Sequence, residues 1–443
     1  MNTNDGKVRH GIPFSIFQYP LSIIYSSVPS RILMLTKLFS TDTATAKRVF
    51  GLDVMRALAI LIVVDAHATI ALKEYYNGLF IHHLLPDGVE LFFVLSGFLI
   101  GGILIRSYEK KGHFNRELLL NFWTRRWFRT LPNYYLVLSG LILFALVRAW
   151  RSGLHHTLPG KVTLIKYYLF IQNFANPVPD FFPETWSLAI EEWSYITLPL
   201  VLWVMHTLFS SRWPRQRIVL STILIIIVGT NLYRFITALQ IPLSEGELQY
   251  RGMVITRLDA ISYGVLAAYA KNYWPSYWTN KTLQRRLLLI GILISALVSF
   301  SASILVIGYY YKAGIHLGYT FFKRTFYFPL MGLSMALIVP YMDGWRTATG
   351  IWAKAGISRI ITHISLISYS MYLLNLTPIM LTIVERIPTT SFAVGWTKVG
   401  VFWVLVLVAS TLLYHFFEKP VTELRERISA KEPTLLMNER VNE

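Results

Sequence analysis

The chain contains no cysteine among its 443 residues, and it is poor in charged residues. The missing cysteines exclude disulfides, thiolate nucleophiles, iron–sulfur clusters and cysteine-based zinc sites. Asp, Glu, Lys and Arg together supply 15% of the residues, whereas soluble domains contain roughly 25%. Hydrophobic residues supply 54% and the mean hydropathy is +0.47. This composition indicates an integral membrane protein, whose helices pack as one bundle.

Ten runs of mainly apolar residues are long enough to cross a bilayer as α-helices. The runs are 52–72, 87–105, 133–150, 186–208, 218–238, 254–272, 287–309, 325–342, 361–384 and 398–417. A shorter stretch at 163–174 is interpreted as non-crossing, because a crossing there would reverse the direction of every later span. We therefore predict an all-α, polytopic membrane bundle of about ten transmembrane helices over residues 51–420.

The formal net charge of +18 is explained by the loops between these spans. With the amino terminus inside, the inner segments hold most of the lysine and arginine residues, as the positive-inside rule requires. Both termini are then cytoplasmic: a cytoplasmic or interfacial extension at 1–50, with a possible interfacial helix at 14–36, and a polar tail at 421–443. No nucleic-acid-binding motif is present, so we expect no nucleic-acid partner.

Ionisable residues interrupt several of the apolar runs. Arg56 and His67 are eleven residues apart, almost three turns of a helix, so they share one face about 16 Å apart. Asp65 points elsewhere. On the predicted direction, further ionisable residues lie at a depth similar to that of His67, near the outer surface: Glu90, Glu191, Glu192, Arg257 and Asp259. Charges at such depth are costly unless they pair around a polar cavity, and they mark a candidate functional site.

A histidine beside a carboxylate in a poorly hydrated site suits a general base, and Glu191 or Glu192 could orient His67. Ser96 precedes a glycine in an apolar helix, a pattern more typical of close helix contact than of a nucleophile. The adjacent histidines at 82–83 and 155–156 lack partners at metal-ligand spacing, so we expect no metal site.

Three arginines precede the third span on the predicted cytoplasmic side: Arg125, Arg126 and Arg129. Topology alone would explain them, yet the planar guanidinium also suits phosphate, so an anionic cofactor or a lipid headgroup is an alternative. A polar path between helices fits an enzyme with a donor inside and an acceptor outside. It fits a transporter or flippase equally well.

The ordered motifs resemble the acyltransferase 3 family of bacterial membrane acyltransferases. They are the Arg56–His67 spacing, GVELFFVLSGFLI (88–100), RRWFRTLP (125–132), WSLAIEEWSYITLP (186–199), RLDAISYG (257–264), ISYSMYLLN (367–375) and FFEKP (416–420). The resemblance implies a multi-pass protein of the bacterial inner membrane. It also implies transfer of an acyl group, commonly acetyl from acetyl-CoA, to a hydroxyl of a cell-envelope carbohydrate such as lipopolysaccharide O-antigen or exopolysaccharide.

By the same resemblance, His67 is the essential base and Arg56 is its partner. Arg125, Arg126 and Arg129 serve the cytoplasmic acyl-CoA side, while Glu191 belongs to the outer acceptor site. We expect contacts to the acceptor from Glu90, Glu192, Arg257, Asp259, Ser96, Tyr369 and Asn375. Members of the family often carry histidine where this chain has Asn375. An amide forms hydrogen bonds but does not titrate, so a second proton carrier is not expected there.

Overall fold

The fold is described by a computed structural model that covers residues 48–74, 87–152, 159–240, 251–310, 321–354 and 356–424, without the side chains of 302–310 and 354. Every regular element in these ranges is helical. The predicted interfacial helix, nearly all of both terminal segments and the two pairs of adjacent histidines lie outside the described residues.

The α-helices are numbered in chain order. They are α1 (Phe50–Ala68), α2 (Gly88–Lys111), α3 (Arg116–Ser152), α4 (Lys161–Tyr168), α5 (Trp186–Phe209), α6 (Arg215–Gln240), α7 (Ser262–Tyr273), α8 (Pro275–Thr279), α9 (Lys281–Tyr310), α10 (Phe328–Gly344), α11 (Ile351–Lys354), α12 (Ile357–Leu374) and α13 (Phe392–Leu413).

Tighter and wider turns extend several of these helices. The 3₁₀ turns are Thr69–Leu72, Pro183–Thr185 and Val384–Arg386, and the π-helical turns are Lys323–Tyr327, Asn375–Leu381 and Tyr414–Glu418. A π-helical turn holds an extra residue, which changes the direction of the side chains that follow, and such turns are frequent at functional sites.

Nine helical segments in the described chain are long and apolar enough to cross a membrane. They are Phe50–Leu72, Gly88–Lys111, Arg116–Arg151, Pro183–Phe209, Arg215–Gln240, Lys281–Ser301, Lys323–Gly344, Ile357–Arg386 and Phe392–Leu424. Each overlaps one of the predicted runs, which confirms those nine as helices of sufficient length. The direction of crossing stays a prediction.

The predicted span at 254–272 is wrong as a continuous helix. Its first part is a chain of turns, with the Arg257 amide donating to the Val254 carbonyl at 2.9 Å and the Ala260 amide donating to the Arg257 carbonyl at 3.0 Å. The 12 α-helical residues that follow, in α7, rise only about 18 Å. The hydrocarbon core is about 30 Å thick. Irregular backbone at membrane depth is stable here because other helices surround it.

The helix in the short stretch at 163–174, α4, has only 8 residues, which is too short to cross a bilayer and agrees with the non-crossing interpretation. By contrast, α7 packs extensively against α2 and α10 despite its shortness. A Cβ atom on Gly264 would lie 1.9 Å from the Val94 carbonyl oxygen, and one on Gly97 would lie 2.0 Å from the Ile261 carbonyl oxygen. The glycine after Ser96 therefore allows close helix contact, as the sequence predicts.

Candidate active site

A cavity of about 110 Å³ lies between α1, α2, α3, α5 and α12. Water occupies about 30 Å³ per molecule in the liquid, so the cavity has room for a few waters or a small acyl group. Its lining residues are Arg56, Val89, Phe92, Phe93, Leu95, Ser96, Leu99, Ile100, Arg126, Arg129, Thr130, Ser187, Leu188, Glu191, Ser368, Tyr369 and Tyr372. The lining along α2 is apolar except for Ser96, and it carries charge on α1, α3 and α5.

Arg126 and Glu191 form the ion pair of the cavity. The Arg126 Nη2 atom lies 3.3 Å from Glu191 Oε2 and donates to the Tyr195 hydroxyl at 2.5 Å. The guanidinium carbon lies 4.2 Å from the centroid of the Tyr195 ring. The side chains of the ion pair are 10% and 14% exposed, respectively, so both are largely withdrawn from solvent yet line a common space.

This ion pair corrects the predicted separation of an inner arginine site from an outer Glu191 site. The helix α3 begins at Arg116 rather than near residue 133, so Arg126 lies well inside it and reaches α5. The interpretation of Arg126 as a loop residue before the span is therefore wrong. One cavity holds both charges.

The other predicted arginines divide between the cavity and the surface. Arg56 lines the cavity, where its Nη1 atom donates to Ser365 Oγ at 3.3 Å and lies 3.7 Å from Asp53 Oδ1. Arg129 lines the same cavity and is an exposed residue, so the part of the cavity next to Arg129 lies near the protein surface. Arg125 is exposed and lies outside the lining.

Ser96 lines the cavity and is hydrogen-bonded to the Tyr195 hydroxyl. Because Arg126 donates to the same hydroxyl, Tyr195 links the serine to the ion pair. Tyr195 was not predicted from the sequence, since a tyrosine in an apolar helix ordinarily indicates packing. Only its hydrogen-bond partners, 99 and 69 positions away along the chain, distinguish it.

Glu192 is not part of the cavity lining, although the neighbouring Glu191 is. Neighbouring residues of an α-helix project about 100° apart. Glu192 accepts hydrogen bonds from Trp127 Nε1 at 3.1 Å and from Thr130 Oγ1 at 3.0 Å, both on α3. The predicted acceptor contact Tyr369 does line the cavity, and its hydroxyl donates to the Thr130 carbonyl at 2.8 Å.

His67 pairs with Asn375 and not with a glutamate, so the prediction that Glu191 or Glu192 orients it is wrong. The Nδ1 atom of His67 is hydrogen-bonded to the Asn375 side-chain oxygen. The side-chain nitrogen of Asn375 donates to the carbonyls of Met371 at 2.9 Å and Tyr372 at 2.8 Å, which directs its oxygen to the imidazole. A carbonyl oxygen only accepts, so Nδ1 carries the proton and Nε2 has the free lone pair of a base.

His67 stands beside the cavity rather than in its lining. Asn375 follows the lining residue Tyr372 by one helical turn. The Tyr372 hydroxyl donates to the Glu184 carbonyl at 2.8 Å and is 2.5 Å from Ser187 Oγ. The cavity thus has an arginine end, formed by α1 and α3, and a second end at Ser187 and Tyr372, near His67.

The remaining predicted acceptor contacts form sealed ion pairs away from the cavity lining. Arg257 pairs with Glu90, with side chains 0% and 1% exposed. Arg234 pairs with Asp259 at 2.5 Å, with the same exposures. The guanidinium of Arg257 also lies 3.9 Å from the centroid of the Phe328 ring. These side chains are paired, as charges at membrane depth require, but the structure does not bring them to the cavity.

No cluster of three or more possible metal-ligating side chains occurs among the described residues.

Residues 49–415 match a family model whose description is an acyltransferase domain. The chain belongs to the acyltransferase 3 family. This confirms the resemblance that the ordered motifs indicate.

Relatives of this acyltransferase 3 protein include named O-acetyltransferases. "Peptidoglycan O-acetyltransferase OatA" of Listeria monocytogenes is 28% identical over 249 residues, which cover 53% of this chain and 35% of the relative. "Putative peptidoglycan O-acetyltransferase YrhL" of Bacillus subtilis is 33% identical over 37% of this chain and 25% of the relative. A "Putative O-acetyltransferase" of Staphylococcus aureus is 24% identical over 84% of this chain and 56% of the relative.

The matches thus span between a quarter and somewhat over half of the length of these relatives. No solved structure matches the chain.

Proposed function

We propose that the protein is a membrane O-acetyltransferase, which transfers an acetyl group from acetyl-CoA to a hydroxyl of a cell-envelope carbohydrate. The observation that carries this proposal is the cavity, which has arginines at one end and lies beside a histidine base at the other. Membership of the acyltransferase 3 family supports the reaction class, and the nine membrane-capable helices among the described residues support a multi-pass membrane location. The bacterial inner membrane is part of the proposal.

The arginine end suits the anionic donor. Arg56, Arg126 and Arg129 face the cavity, and among the described residues Glu191 is the only carboxylate in its lining, so the described lining has an excess of positive charge. Guanidinium groups bind phosphate and polarise carbonyl oxygens. These three residues therefore fit acyl-CoA phosphates or the thioester carbonyl, whereas the position of Arg125 outside the lining gives it no direct part.

His67 acts as the base in this proposal. Its Nε2 atom takes the proton of the acceptor hydroxyl, the hydroxyl oxygen forms the new ester bond to the thioester carbon, and the carbon–sulfur bond breaks. The imidazolium then returns its proton to the leaving thiolate, so the base is regenerated. Asn375 holds the proton on Nδ1 throughout, which keeps Nε2 directed to the acceptor.

The acceptor is a glycan of the envelope. Two of the relatives bear names that specify peptidoglycan, which favours peptidoglycan over the lipopolysaccharide and exopolysaccharide acceptors that the sequence resemblance implies. Lipids of the surrounding membrane complete the set of partners.

The test is transfer of label from radioactive acetyl-CoA in membranes that contain the protein, with isolated peptidoglycan strands as the acceptor. We expect base-labile label on the glycan, because acetyl esters hydrolyse in alkali. Membranes without the protein are the control. A transporter or flippase, which the polar path also fits, would move glycan without attaching label to it. Absence of label on peptidoglycan and on the other two glycans would contradict the proposal.

A further inference from the structure

Three residues form a cluster just beyond the second end of the cavity: Asp87, Trp186 and Arg251. The Arg251 Nη2 atom lies 2.5 Å from Asp87 Oδ2. The guanidinium carbon of Arg251 lies 5.2 Å from the centroid of the Trp186 ring. None of the three was predicted as a site residue from the sequence, although Trp186 begins the motif at 186–199.

The polypeptide backbone holds this cluster against the cavity. Asp87 caps α2 by accepting a hydrogen bond from the Val89 amide at 2.9 Å, and Val89 lines the cavity. Trp186 begins α5 immediately before the lining residue Ser187. The cluster is therefore one or two residues from the cavity wall on both helices.

Asn173 fixes the position of Arg251, the third member of the cluster. Its side-chain nitrogen donates to the Trp186 carbonyl at 3.0 Å and to the Gly252 carbonyl at 2.5 Å. One amide thus ties the start of α5 to the residue after Arg251. The buried Asn173 side chain therefore fixes the positions of Trp186 and Arg251 relative to each other.

The cluster also lies near the base. Ser187, the residue after Trp186, has its Oγ atom 2.5 Å from the Tyr372 hydroxyl. Asn375, one helical turn after Tyr372, is hydrogen-bonded to His67. A molecule that contacts Trp186 and Arg251 from the cavity side is therefore close to the histidine that would take its proton.

The ion pair of Arg251 and Asp87 is more exposed to solvent than the sealed ion pairs. The Arg251 and Asp87 side chains are 29% and 11% exposed. Those of Arg257 and Glu90 are 0% and 1% exposed. Arg251 and Asp87 can therefore meet a ligand, whereas the sealed pair cannot.

We propose that Asp87, Trp186 and Arg251 form the acceptor subsite, which binds a sugar ring so that its hydroxyl reaches His67. The carboxylate and guanidinium supply hydrogen-bond acceptors and donors for sugar hydroxyl and amide groups. The indole supplies a flat apolar face for the C–H side of the ring and an N–H donor. The inference rests on the proposed function, and it names the residues that select the carbohydrate.

The experiment measures acetyl transfer from labelled acetyl-CoA to a tetrasaccharide of N-acetylglucosamine, with the full chain in membranes. For Arg251→Gln and Trp186→Leu we expect the KM for the tetrasaccharide to rise roughly tenfold or more, because charged and stacking contacts are lost. The KM for acetyl-CoA stays nearly unchanged. This separation of the two KM values distinguishes acceptor binding from general damage to the fold.

Arg386→Gln is the matched control. Arg386 also stacks on an aromatic ring, at 5.5 Å from the Phe144 centroid, but it belongs neither to the cavity lining nor to the cluster. It should leave both KM values nearly unchanged. If a variant fails to accumulate, the conservative Arg251→Lys and Trp186→Phe replace it, with the same expected direction.

An unchanged KM for the tetrasaccharide, or an equal rise in both KM values, would overturn the acceptor subsite. Failure of the wild-type chain to label any glycan would overturn the proposed function itself. The two failures are therefore distinguishable.

Discussion

Two groups of intramembrane charges in this protein have opposite surroundings. Arg126 and Glu191 form an ion pair that lines a cavity, next to a serine and two further arginines. Arg257 and Glu90 form a pair that protein encloses completely, with an aromatic ring over the guanidinium. A charged side chain inside a membrane protein is thus a candidate for catalysis only where it borders a cavity. Where it is fully enclosed, as at Arg257 and Glu90, the same residue types stabilise irregular backbone.

The largest expected effect on acetyl transfer comes from changing His67, which lies beside the cavity. His67→Ala should reduce acetyl transfer about 10²–10⁴-fold, the range for loss of a general base. Label transferred to glycan measures it, with protein abundance and acetyl-CoA binding as controls that should not change. Retained transfer would contradict the assignment of the base.

Removing one partner of a sealed ion pair should lower the stability of the fold rather than act directly on acetyl transfer. Glu90→Ala leaves the Arg257 charge buried without its carboxylate, which we expect to cost about 3–5 kcal/mol of stability. Thermal unfolding in detergent measures the loss. Glu90→Leu combined with Arg257→Met should recover most of it, because the buried charge is removed.

An open ion pair provides the control for that loss. Arg215 and Glu109 are paired with side chains 44% and 28% exposed, so Arg215→Ala should cost only about 0–1 kcal/mol. Equal losses in the two variants would show that enclosure does not distinguish the pairs.

Arg125 and Arg126 are neighbours on α3, so they compare an arginine outside the cavity lining with one inside it on a single helix. Arg126→Gln removes a charged hydrogen bond at the cavity, so we expect the KM for acetyl-CoA to rise about 10–100-fold. Arg125→Gln, outside the lining, should leave that KM nearly unchanged. The reverse order would place the donor on the surface instead of in the cavity.

Among the variants expected to lose activity, the smallest effect is at Asn375. Asn375→Ala removes the acceptor that fixes the proton on His67 Nδ1, and loss of one such hydrogen bond should lower kcat about tenfold. Asn375→His restores an acceptor at this position and should recover most of the rate. An equal loss in both variants would mean that Asn375 has only a packing role.

Much of the fold follows from apolar run length, because each membrane-crossing helix satisfies its own backbone hydrogen bonds. The segment that holds Arg257 and Asp259 departs from this rule. Run length does not reveal that a chain of turns becomes stable once Glu90 and Arg234 supply partners from other helices. The error therefore arises from tertiary contacts rather than from local preference.

The candidate site was predicted in part for the same reason. The face shared by Arg56 and His67 follows from helical periodicity, and the structure places the first in the cavity and the second beside it. The partners of His67 and Arg126 do not follow, because Asn375 and Glu191 approach from distant parts of the sequence. Periodicity indicates which residues share a face, whereas pairing requires the packing of helices.

The close approach at Gly97 and Gly264 has a consequence for which acyl groups fit. No side chain separates the backbones of α2 and α7 at this point, so the two helices are expected to move as one rigid wall. Room for a longer acyl chain must then come from the other helices that line the cavity, α1, α3, α5 and α12. Substitutions that shorten side chains on those four helices are the route to altered chain-length selectivity.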